Sequence, residues 1–427
     1  MALPDGRQRS FWTLAKPHSA YLFGMVAGDF VEQCRKVRGV DVCAAAAKAH
    51  AAELPRILDI AATGFDFYTA HAGVPYPFGA RYDQVFVPGD VAQELAGIAV
   101  LGDDYFAALA ADAHEDWMVL HELSHQWWGN WISARSWTDF WLNEGVTTFM
   151  VAAAKEQRWG RADYDNELAL MRRRYRRALG KTPRPIVFAG WQQPSEMGGA
   201  ITYSGGALML DLLRRQLGDT AFWDGLRGYS RAHAGGAVTT EQLQAAMEDA
   251  CHHSLAPFFA QWLLQLPPTL EATSGRVAGI FVVEVTQSSG QPLTQSLRVA
   301  VETASGRQTQ PLALQAGHGQ ARFTVGDAEL LSLRVDDGAQ LPVVIRYPRS
   351  VTMLLYQLAH EPDVAGRFEA ATELEARCLS TITTTTTTAT REPECAQLPA
   401  VLATRAATEP SPRLRELEQR LVAPPPP

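Results

Sequence analysis

The sequence predicts a mainly α chain with small β parts, and three observations carry that expectation. Apolar residues recur at helical spacing through most of residues 44–265. From Leu270 to Tyr347 the period drops to two, in short runs separated by Gly, Ser, Gln and Asp, as in a small β-sandwich. Residues 351–378 return to helical spacing and read as a short helical tail. The 427 residues amount to about three domains' worth of chain, and Pro267 with Pro268 marks a boundary between the helical and the strand-rich parts.

Taken in order, residues 11–30 mix aromatic and β-branched side chains around Pro17 and predict one or two strands. Residues 44–71 carry helix formers with Pro55 near the middle, so two helices or one broken helix are expected. Strands follow at 82–88 and 97–102. The next helix is expected to begin within 112–115 and to end at Trp128, with Gly129 in the left-handed position that closes it. Ser136, Thr138 or Asp139 could cap a further helix that runs to Gly160, and the basic run at 171–180 is a solvated amphipathic helix. Pro and Gly are too dense in 184–202 for regular structure. A helix stopped by Gly218 comes next, and Thr239 or Thr240 then caps a later one, with Glu241 in its first turn. The runs at 280–285, 297–303, 321–325, 331–335 and 343–347 are the expected strands. The Thr-rich stretch 381–390 and the PPPP end are low complexity, with no packed fold expected.

A net charge of −8 and a pI near 5.8 argue against a nucleic-acid surface. No apolar run is long enough to span a bilayer, and the opening MALPDGRQRSFW has no apolar core behind its basic residues to act as a secretory signal. Five scattered cysteines without a C-x-x-C pair predict reduced thiols, and hence a cytoplasmic protein.

The chemistry concentrates between Val119 and Met150, VLHELSHQWWGNWISARSWTDFWLNEGVTTFM. On a helix, His121 and His125 stand one turn apart on one face, so both imidazoles can reach one metal. Eighteen residues separate His125 from Glu144, whose carboxylate could add a third ligand from a facing helix. Two His and a carboxylate with a vacant fourth position form the ligand set of a catalytic zinc, and Glu122 is placed to take a proton from a water there. Asp139 could orient a ligand or cap a helix. His114 could share the metal face, although a structural role fits it as well, and His252 and His253 read as surface residues.

HELSHQWWGN followed by WLNEG resembles the aminopeptidase N family of zinc metallopeptidases, of the gluzincin type. YLFGMVAGDF at 21–30 looks like the strand that closes the family's N-terminal domain, and WLLQLPP looks like its exit into a β-sandwich. The resemblance covers roughly residues 11–375. It implies remnant strands of an N-terminal β domain at 1–30, a thermolysin-like catalytic domain at 31–268, a β-sandwich at 269–349, and a short helical segment with a low-complexity tail at 350–427. Most of the family's N-terminal domain and of its large C-terminal helical domain is then expected to be missing. It further implies one zinc ion on His121, His125 and Glu144, Glu122 as general base, and peptides with a free N-terminus as substrates. Tyr203, in TYSGGA, stands where the family has a Tyr that donates to the oxyanion, although the family's Lys two residues on is Gly205 here. Glu94, in VAQELAG, stands where the family's G-A-M-E-N loop binds the substrate's α-amine, with the loop sequence altered around it. Two other readings stay open: a zinc-containing binding or scaffold protein with little peptidase activity, and a zinc endopeptidase with a more open cleft.

Overall fold

The computed structural model describes residues 11, 13–379, 392–406, 409 and 411–422. It mixes helix and sheet more evenly than the mainly α expectation allowed, because the first half of the chain also builds a five-stranded sheet. The chain divides into two compact units, Met1–Arg158 with Leu217–Ser254, and Trp159–Gln216 with Leu255–Pro427. This division does not follow the four consecutive segments expected from the sequence.

The first unit holds the five-stranded sheet in the order Val31–Val37, Val40–Ala46, Arg81–Val87, Ile98–Gly102, Ala92–Gln93. Its two middle junctions are parallel and its two outer ones antiparallel. Helix Leu54–Ala72 links the second and third strands. It is a single helix, and the expected break is absent because Pro55 lies in its first turn, where a missing N–H costs nothing. Residues 44–46, expected to be helical, end the strand Val40–Ala46, whose side chains from Val42 to Ala46 are buried.

This framework fixes the helix Trp117–Ser124 from two sides. A Cβ on Gly64 would lie 2.5 Å from the Leu120 side chain and 3.1 Å from Leu123, so the bare glycine lets helix Leu54–Ala72 approach closely. From the sheet, Gln84 Nε2 donates to the Val119 carbonyl at 2.9 Å, and from the helix Tyr68 Oη donates to the Leu120 carbonyl at 3.1 Å. Buried polar groups are thereby satisfied by neighbours that also set position.

Residues 13–30 form no strand: they make a short 3-10 turn, Ala20–Leu22, and otherwise extended, unpaired chain. The expected strands lack a neighbour to complete their hydrogen bonds, and the segment instead lies against the Glu94 loop, where Ala96 N–H donates to the Leu22 carbonyl at 3.1 Å.

In the second unit, helices Arg161–Lys181 and Gly206–Leu217 precede two sheets. One has the order Gly306–Leu312, Leu297–Thr303, Ser332–Val335, and the other His318–Thr324, Ile280–Ser289, Thr269–Val277, Val344–Arg346. The alternating runs all fall in strands. Thr269–Val277 and Gly306–Leu312 escaped the sequence reading because exposed polar residues blur their alternation. Beyond Val351, Leu354, Leu358, Leu374, Leu398, Leu402 and Leu417 share one buried apolar cluster, so helices Leu398–Ala406 and Pro412–Val422 are packed in a stretch for which the sequence reading named no element. The Thr-rich run 381–390 and the final PPPP lie outside the described residues.

The cysteines correct a second expectation. Cys34 and Cys43 face each other across the antiparallel pair and are joined in a disulfide, as are Cys378 and Cys395, leaving Cys251 free. Sequence spacing showed neither pairing, since each is created by tertiary register. The step from free thiols to a reducing compartment loses its basis with them. Among the described residues no helix is long and apolar enough to cross a membrane.

Candidate metal centre

Helix Trp117–Ser124 carries His121 and Glu122 in its last two turns, and His125 follows as its C-cap with helical dihedrals of φ −55° and ψ −26°. The one-turn separation of the two histidines therefore survives the helix end. That end comes four residues earlier than expected. Gly129 has φ +122° and does not close the helix. A Cβ there would sit 2.7 Å from His125 Nδ1, so the glycine makes room for the imidazole. Glu144 enters from the first turn of helix Trp141–Trp159.

The three side chains meet in a buried cluster. His121 Nε2 lies 3.2 Å from His125 Nε2, and Glu144 Oε2 lies 3.3 Å and 3.4 Å from the two nitrogens. Ligand atoms held at about 2.0–2.1 Å from a tetrahedral zinc stand about 3.3–3.4 Å from one another, so the spacing suits that ion. Tautomer points the same way. His125 Nδ1 lies 3.1 Å from the Trp128 carbonyl, which can only accept, so Nδ1 carries hydrogen and the neutral ring offers its Nε2 lone pair to the cluster. His121 is stacked on Trp117, ring centroids 4.4 Å apart, which fixes its plane.

Electrostatics show what the cluster demands. Burial works against a charged His125, but the carboxylates of Glu144, Glu94 and Glu122 outweigh it and raise its pKa. Burial likewise opposes ionised Glu144, yet His125 and His121 hold its pKa down. Burial holds the His121 pKa down, so positive charge is favoured at His125, and a proton or a metal cation can supply it.

Glu122 stands beside the trio. Burial pushes its pKa up to about 8, against the pull of His125 and with the charges of Glu94 and Glu144 adding to the rise. Glu94 follows the short strand Ala92–Gln93, with its carboxylate accepting from Gln93 Nε2 at 2.7 Å. Its charge acts on both Glu122 and His125, so four of the sequence-derived site residues and Glu94 share one neighbourhood.

The remaining candidates are each described within their own unit. Tyr203 belongs to the second unit, on the π-helical turn Ile201–Gly205. A Cβ on Gly205 would meet the Tyr175 ring at 2.8 Å, so the space where the family carries Lys is already taken. Asp139 accepts from the Thr240 N–H at 3.0 Å and from the Thr240 hydroxyl at 2.7 Å, at the start of helix Thr240–Cys251. His114 lies in the turn before the metal helix, and His252 and His253 are exposed.

Several residues at this site carried no separate signal in the sequence. The Tyr21 phenol lies beside Asn143, and although the residue as a whole is half-exposed, desolvation of the phenol together with the charges of Glu94 and Glu144 raises its pKa. Thr147 Oγ1 donates to the same Trp128 carbonyl that orients His125, at 3.1 Å. Asn143 Oδ1 accepts from the Ala134 N–H at 2.9 Å, one residue before Glu144.

Residues 56–262 match the peptidase family M1 domain. Aminopeptidase N of Streptomyces lividans is 28% identical over 270 residues, 57% of this chain and 31% of that protein. Aminopeptidase N of Lactococcus lactis subsp. lactis is 30% identical over 224 residues, 49% of this chain and 26% of that protein. The matched region thus spans about a third or less of these relatives' length. The crystal structure of Legionella pneumophila aminopeptidase A in complex with aspartic acid superposes with a TM-score of 0.68 at 16% identity, covering 96% of this chain and 51% of that one, which is a likeness of fold.

Proposed function

We propose, from the premise that this chain belongs to peptidase family M1 through residues 56–262, that it is a zinc-dependent aminopeptidase acting on peptides with a free N-terminus. The observation that carries the reading is the buried trio of His121 Nε2, His125 Nε2 and Glu144 Oε2, mutually 3.2–3.4 Å apart, with Glu122 alongside. When bound there, one zinc ion would polarise the first peptide carbonyl and make a water more acidic. Glu122 accepts the attacking water's proton and returns it to the leaving amine, a task suited to a carboxylate raised toward neutral pH. Glu94 receives the substrate's ammonium, and this choice of chain end is what makes the enzyme an exopeptidase. Tyr203 keeps the role of oxyanion donor on the resemblance of TYSGGA alone.

Incubating the zinc-loaded protein with trialanine, N-acetyl-trialanine and a longer peptide tests the reading. Release of N-terminal residues from the free peptides only, abolished by a chelator, is the expected result. Internal cuts would make it an endopeptidase, and no cleavage at all would make it a metal-containing binding protein.

A further inference from the structure

We propose that Gln126 and Asn130 are positioning residues that hold Glu94 in register with the metal centre, an inference that rests on the amine-binding reading of Glu94. Both are buried, with relative exposures of 0% and 3%. Gln126 spans the turn after Glu94: its Nε2 donates to the Leu95 carbonyl at 3.1 Å, and its Oε1 accepts from the Gly97 N–H at 2.9 Å. Asn130 Nδ2 donates to the carbonyl of Glu94 itself at 2.5 Å. These amide orientations follow from chemistry, since backbone carbonyls only accept and an N–H only donates. The turn they hold passes through Gly97 at φ +85°, a conformation glycine takes without strain.

The clamp comes from the stretch that carries His125. Gln126 is the next residue, and the Asn130 N–H donates to the His125 carbonyl at 2.9 Å while the His125 ring bonds the Trp128 carbonyl. Residues 125–130 therefore fix a metal ligand with one set of bonds and the backbone of Glu94 with another. An exopeptidase needs a set distance between the group that takes the ammonium and the group that activates the adjacent carbonyl, because the substrate offers only one spacing between them. Gln126 and Asn130 set that distance without touching substrate. The bland alternative, that they merely satisfy buried carbonyls, gives a different pattern of effects: it lowers stability and leaves selectivity alone.

The test uses the full chain, zinc-loaded, in a Glu122→Gln background so that binding is read without turnover. Calorimetric affinities for trialanine and N-acetyl-trialanine are compared among this parent, Gln126→Met, Asn130→Ser and Glu94→Ala. The expected result is a loss of about tenfold for trialanine in each clamp variant, little change for the acetylated peptide, and unchanged zinc content. In the active background the same substitutions should raise KM more than they lower kcat. Trialanine affinity that stays at the parent level in the clamp variants but falls in Glu94→Ala overturns the clamp and leaves the amine site standing. An unchanged Glu94→Ala overturns the amine reading and, with it, this inference. Two independent clamp variants keep the test decisive should one of them fold poorly.

Discussion

A Cβ on Gly129 would lie 2.7 Å from His125 Nδ1, inside van der Waals contact, so residue 129 limits where the His125 imidazole can sit. Gly129→Ala should push the ring off the Trp128 carbonyl and add strain at φ +122°. Loss of such an orienting contact weakens metal binding about 10–100-fold. Zinc affinity by chelator competition measures this, and a variant that holds zinc as tightly as the parent would show that the ring tolerates the displacement.

Glu122→Gln separates chemistry from binding. The variant should keep zinc, because the three ligand atoms are untouched, and lose about 10²–10⁴-fold in kcat with the general base gone. It also carries a stability signature in the metal-free protein. Burial raises Glu122 to about 8, far above the unfolded carboxyl, so its contribution is fully present below the unfolded pKa and is lost as pH rises toward 8. Metal-free Glu122→Gln should therefore melt above the metal-free parent at pH 8 and approach it near pH 4. A parent that melts higher at both pH values would contradict the raised pKa.

The clustering of His121, His125 and Glu144 was legible because such a trio has a grammar of spacing. His121, Glu122 and His125 follow from one helical turn, and Glu144 from a second helix at the right remove. The residues that support them and Glu94 were not legible. Gln126 and Asn130 look like any polar residues beside a motif, and Gly129 reads as a helix stop until the ring it makes room for is seen. In the same way Pro55 reads as a break until the helix start is known to be one residue away. Each case turns on contacts between segments distant in sequence, which periodicity does not encode.

The cysteines give an independent check on the fold. Two disulfides predict that the denatured, unreduced protein alkylates at one position, Cys251, and at all five only after reduction. Intact-mass spectrometry before and after reduction counts the labels. Five labels without reduction, in protein prepared under oxidising conditions, would remove both bridges, while three would remove one and tell which when peptides are mapped.

In the second unit, Glu369 organises a group of arginines. Its Oε2 lies 3.5 Å from Arg334 Nε, and its Oε1 lies 3.7 Å from Arg349 Nη2 and 3.7 Å from Arg176 Nη1. Arg334 is 1% exposed and cannot turn to water if Glu369 is removed, although Glu361 at 3.0 Å and Asp363 at 3.7 Å remain beside it. Burial pushes the Glu369 carboxyl up, but the arginines, Arg349 and Arg334 foremost, outweigh it and leave the pKa lowered. A depressed carboxyl stabilises the fold above its unfolded pKa, and the contribution is lost as pH falls through the folded value. Glu369→Gln should accordingly cost roughly 1–3 kcal/mol at pH 7, the range for leaving buried polar groups with one partner fewer. The gap from the parent should narrow in acid, where the parent's own carboxyl takes up a proton. Urea unfolding midpoints at pH 7 and pH 3 measure both terms, and a difference that stays constant between them would mean that Glu369 acts through packing and not through its charge.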